Sequence, residues 1–170
     1  MPESPSDAPF GRGPALMHHA RDAAYDIVLL AHVLSALVGL GVVLVAGASA
    51  LALRRPGPPS DAVRRYYRPG VNWAGRSLFL VPVFGVALMA LSDGDWTYSQ
   101  DWVLGGILLW VAAAFVAELV LWPGERLLQA GASRPAPDPG LRGRCLRVAV
   151  AAGVVAGLLL TAAVLMVAKP

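Results

Sequence analysis

Cysteine, lysine and histidine are scarce in this 170-residue chain. Cys145 is the sole cysteine, which excludes an internal disulfide and a tetrathiolate metal site. It falls between Arg144 and Arg147, where nearby cations favour the thiolate. Lys169 is the sole lysine, so arginine carries almost all the positive charge. The histidines are His18, His19 and His32, with no His-Glu-x-x-His pair for zinc. A Gly-rich phosphate loop and a Gly-x-Ser-x-Gly nucleophile elbow are also missing. Asp93, Asp95 and Asp101 follow no known calcium-loop spacing. The familiar hydrolase and nucleotide-binding classes therefore find no support, and the catalytic residue set is empty.

Long apolar runs are what the chain has instead. Four blocks, Ile27–Leu53, Val71–Ser92, Trp102–Trp122 and Leu146–Ala168, each reach bilayer length. A hydrocarbon core of about 30 Å takes about 20 residues at the helical rise. Period-two alternation is lacking, and a spanning backbone must satisfy its own hydrogen bonds, so the blocks predict helices and not barrel strands. The expected fold is all-α: an up-down bundle of four transmembrane helices spanning residues 25–170, with sequential helices as neighbours. Residues 1–24 read as a flexible arm, with Met1–Leu16 disordered. Ala48-Ser-Ala50 resembles a signal-peptidase site, but the long mixed-charge leader and long core predict an uncleaved first helix.

Charge asymmetry orients the bundle. The first linker holds Arg54, Arg55, Arg64, Arg65 and Arg68; the third holds Arg126, Arg134, Arg142 and Arg144. The second linker, Asp93 to Asp101, has acids and no base. The positive-inside rule then puts both basic linkers in the cytoplasm and both termini outside. The arginines meet anionic lipid headgroups, so the net positive charge needs no nucleic-acid partner. Arginine in place of lysine fits a GC-rich bacterium, giving a multi-pass protein of the inner (cytoplasmic) membrane whose first partner is the lipid bilayer.

Prolines divide the linkers. The first allows a short interfacial helix, Asp61–Tyr67, with Tyr66 and Tyr67 at headgroup level. Ala132–Gly140 reads as a flexible loop. Gly124–Gly131 reads as a surface helix that places Leu127 and Leu128 in lipid. Trp96, Tyr98 and Trp102 form an aromatic anchor at the opposite face. Pro82 should kink the second helix, because it lacks a donor and crowds the carbonyl of Leu78. Small residues mark close helix contacts: Ser35, Gly39 and Ala46 on the face of His32, and Ala149, Gly153, Gly157 and Thr161 on the fourth helix. Both stripes serve a packed bundle and a homodimer, or another membrane-protein partner, equally well.

Two constellations can carry chemistry. Arg76 lies about 7.5 Å inside the second helix and Glu118 about 6 Å inside the third, at the same end. An unpaired charge at that depth is costly, so an intramembrane ion pair is expected, with Glu118 the acid a proton- or ion-coupled carrier would use. His32, in the outer half of the first helix, is a candidate ligand for haem iron or copper. Met89 and Met166 reach a similar layer, and imidazole with thioethers suits Cu(I). For haem, a second axial ligand would come from Met89, from His18 or His19, or from His32 of another copy.

Tyr25-Asp-Ile-Val-Leu-Leu-Ala-His32-Val-Leu-Ser-Ala, a glycine-containing helix and a basic linker form the opening of the bundle. With Asn72-Trp-Ala-Gly-Arg76 and the Glu118…Trp122-Pro123 segment, this pattern resembles a bacterial family of predicted four-helix integral membrane proteins of unknown function. More remotely it is similar to copper-resistance D membrane proteins and to four-helix haem-binding protoporphyrinogen oxidases, which place a histidine in the first helix. The resemblance carries over His32 alone. In the oxidases a lysine in a later helix belongs to the site, and here the single lysine is the terminal Lys169. The expected protein is a small, non-enzymatic binding or accessory module.

Overall fold

The computed structural model of the chain describes residues 12–68, 70, 73–92, 94, 97–132 and 140–168. Among them there is no strand, and four helical stretches are long and apolar enough to cross a membrane: Arg21–Arg54, Trp73–Leu91, Asp101–Gly131 and Leu141–Ala168. The first span belongs to α1 (Arg12–Arg54), which begins well before the apolar block. Alanine-rich sequence favours helix there, and Pro14 is tolerated in a first turn. Residues 1–11, most of the stretch Met1–Leu16 expected to be disordered, lie outside the described residues. So does most of the 132–140 loop, together with Trp96, Asp93 and Asp95.

α2 (Asp61–Tyr66) is the short helix of the first linker. The Ser60 side chain accepts from the Val63 N–H, and Asp61 pairs with Arg64 one turn on. The second span opens as a 3-10 helix, Trp73–Phe79, and continues as α3 (Leu80–Leu91). Pro82 sits just past the junction, and the Leu78 carbonyl, to which Pro82 offers no N–H, accepts from Trp110 Nε1 at 3.0 Å. The third span is α4 (Asp101–Val116), a π-turn (Ala117–Leu121) and α5 (Trp122–Ala132), in one continuous rod. Pro123 explains the π-turn. Its ring crowds the Leu119 carbonyl, and the wider turn lets the Trp122 N–H bond Ala117 O instead. α6 (Leu141–Ala168) is the fourth span.

The second-to-third connection corrects one expectation. α1 packs along α6 and against the second span, and α4 packs along α6. The second and third spans, consecutive in the chain, meet through a few side chains: Phe79 against Trp110 at 6.1 Å and Trp122 at 5.7 Å, and Arg76 over Trp122. Small residues decide this order. A Cβ on Gly47 would lie 3.0 Å from that of Ala152, and Cβ atoms on Gly105, Gly106 and Gly124 would run into Leu165, Met166 and Val148 of α6. The core runs through Val43, Ala46 and Ala50, Ala113, Ala117 and Leu121, and Val148, Ala152 and Val155. Leu128, expected in lipid, is fully buried, while Leu127 is exposed. Gly153, Gly157 and Thr161 are exposed, so this part of the α6 stripe is not used within the protomer.

Candidate functional site

His32 is held between α1 and α3. Its Nδ1 lies 2.9 Å from the carbonyl oxygen of Val81. A carbonyl only accepts, so in the neutral ring Nδ1 carries the proton and Nε2 keeps its lone pair. The ring edge rests on the bare backbone of Gly85, where a Cβ would lie 3.5 Å from Cε1. Ser35, buried beside it, donates to the backbone carbonyl of His32 at 2.8 Å. Histidines that ligate metals characteristically donate their other ring N–H to a carbonyl or carboxylate, which fixes the ring and the tautomer. His32 has that arrangement.

The thioethers divide. Met89 is on α3, four residues beyond Gly85 and so about 6 Å farther along the axis. Met166 packs against Gly106 in the α4–α6 interface. His32 thus faces Gly85 of α3, and Met166 faces Gly106 of α4. The side chains of His18 and His19 lie outside the described residues.

Arg76 and Glu118 are not joined. The Arg76 guanidinium sits over the Trp122 ring, 5.2 Å from its centroid, and Trp122 packs on Phe79 at 5.7 Å. Glu118 is exposed on the outside of the π-turn. Arg76 lies in the 3-10 segment and Glu118 in the π-turn, where rise and angle per residue depart from those of a regular α-helix.

A polar cluster at the basic end went unseen in the sequence. Glu125 is 6% exposed and accepts a hydrogen bond from the Tyr66 hydroxyl. Tyr67, 3% exposed, meets the Tyr66 ring edge-on at 5.1 Å, and its hydroxyl has no partner among the described residues. Cys145 is completely buried and faces the same cluster. Burial pushes the Tyr67 phenol far above the usual tyrosine range, and the Cys145 and Glu125 charges push it the same way. Tyr67 is thus packed inside the protein, Tyr66 is half-buried against Glu125, and Cys145 is a fully buried thiol. The one available signal was Ser60, an N-cap that fixes where α2 begins and hence where its tyrosines point.

Comparison with curated proteins and with solved structures returns no match. A family model described as "Predicted integral membrane protein (DUF2269)" matches residues 26–170, a stretch that begins one residue before the first apolar block and takes in His32 and all three later spans, and the chain belongs to that family.

Proposed function

We propose that the chain is a bacterial inner-membrane binding module, without catalytic activity of its own, whose ligand-holding group is His32. The observation that carries this is the Nδ1–Val81 hydrogen bond, which leaves Nε2 free to bind haem iron or a soft metal ion. Titration of purified protein with haemin and, separately, with Cu(I) tests it. One ligand should bind wild type with one-to-one stoichiometry and fail to bind His32→Ala of unchanged melting temperature. Wild type that binds neither overturns the reading.

Both termini are assigned to the outside by the arginine-rich linkers. Cys145 is buried and cannot report the inner side, so a second introduced cysteine supplies that control in a Cys145→Ala background. There, Ser99→Cys should react with an impermeant thiol reagent in intact cells and Ala62→Cys should not; the reverse pattern refutes the orientation. The exposed Gly153, Gly157 and Thr161 stripe supports pairing with a second copy.

A further inference from the structure

We infer that the junction of α1 and α6 is a stoichiometric binding site for a phospholipid whose headgroup carries two phosphates. A concavity of about 470 Å³ opens there, lined by Leu51, Arg54, Arg55, Pro56 and Arg142. Its shape follows from the chain. α1 ends at Arg54, the Arg55 N–H still bonds Ala52 O, and Pro56 with Gly57 at φ +106° turns the backbone away. The turn leaves two consecutive arginines at the mouth, and Arg142 in the first turn of α6 closes the other side.

No carboxylate among the described residues pairs with any of the three, unlike Arg64, which Asp61 neutralises. Three uncompensated guanidiniums facing one concavity call for an anion of more than one charge, and the guanidinium fork matches phosphate oxygens in pairs. A lone phosphodiester leaves two cations over; two phosphodiesters nearly balance the site. Basic pockets between spans, at headgroup level, hold such doubly charged headgroups.

The apolar surroundings favour a lipid over a free phosphate. Leu51 forms part of the lining and is exposed, as are Leu44 one face-repeat deeper on α1 and Leu146 and Val150, four and eight residues beyond Arg142. Residues at those spacings share a helix face, so the mouth continues into an apolar track for acyl chains. This site is separate from His32 and stands whether or not His32 binds a ligand.

The test is a binding titration of full-length protein in nanodiscs of a zwitterionic phospholipid, with cardiolipin as the two-phosphate probe. Wild type should saturate at one cardiolipin, and phosphatidylglycerol should compete weakly. Arg54→Gln/Arg55→Gln/Arg142→Gln should lose affinity by about fivefold per arginine, hence roughly a hundredfold in all. Arg64→Gln/Arg65→Gln/Arg68→Gln, the same charge loss outside the concavity, should change it less than about threefold. Equal losses in the two variants would mean a diffuse basic collar and overturn the site. Displacement of cardiolipin by millimolar inorganic phosphate would make it a phosphate site and overturn the lipid assignment. If the pocket variant does not insert, wild type decides: a non-saturating isotherm, or phosphatidylglycerol binding as tightly as cardiolipin, refutes the proposal.

Discussion

Adjacent tyrosines in one short segment have opposite energetic roles. Tyr66 satisfies the buried Glu125 carboxyl, so Tyr66→Phe should destabilise the protein by about 1–3 kcal/mol through an unpaired acceptor. Tyr67 buries a hydroxyl with no partner among the described residues, so Tyr67→Phe should be neutral or stabilise by up to about 1 kcal/mol. Thermal melting of both variants checks the signs. The Tyr67 phenol also has a pH signature. Its pKa is raised on folding, so the folded state holds the proton more tightly than the unfolded chain does. Wild type should therefore lose stability as pH rises above about 10, where the unfolded phenol ionises, and Tyr67→Phe should lose less. Parallel alkaline profiles for the two proteins would contradict the buried, unpartnered phenol.

At the scale of the element, two prolines shape two spans, and their effects differ in legibility. Pro82 and the crowded carbonyl of Leu78 were readable from spacing alone, because proline's missing donor is a local property. The donor that answers it, Trp110, is 32 residues away and belongs to packing. The pairing predicts a coupled pair of substitutions. Trp110→Phe should cost about 1 kcal/mol with Pro82 present, and less in a Pro82→Ala background whose restored N–H bonds the Leu78 carbonyl. Strict additivity in that cycle would refute the link. The π-turn before Pro123 could not be read, because it settles how one strained turn relaxes. The Arg76–Glu118 expectation assumed regular helix, and both residues fall in segments of another type, where rise and angle per residue differ. Glu125 was passed over for a related reason. An acid just past an apolar block is ordinary in sequence, and only its partner 59 residues earlier makes it a buried one.

For the whole molecule, the lengths of four apolar runs were sufficient to give four spans, since bilayer thickness is set by the solvent and not by packing. The order of the helices was not legible. It depends on which small residues face inward, and Gly47 and Gly153 look alike in sequence. They differ in space: Gly47 is pressed against Ala152, and Gly153 meets nothing within 4 Å. Gly47→Leu should accordingly lower stability by about 1–3 kcal/mol by forcing α1 from α6. Gly153→Leu with Gly157→Leu should leave the melting of the protomer unchanged and reduce self-association, read by energy transfer between labelled copies in liposomes. Reduced melting with unchanged association would show that the stripe serves the protomer instead.

The proposed role of His32 joins these scales: a tautomer fixed at one residue, a carbonyl of the second span next to the Pro82 junction, and a bundle that presents Nε2 in the membrane. The most direct test is a reduced-minus-oxidised optical spectrum, with elemental analysis, of protein purified from cells supplied with haem and copper. A Soret band or stoichiometric copper in wild type, absent from His32→Ala, is the predicted result. A colourless, metal-free wild type, or a chromophore unchanged in His32→Ala, would contradict it.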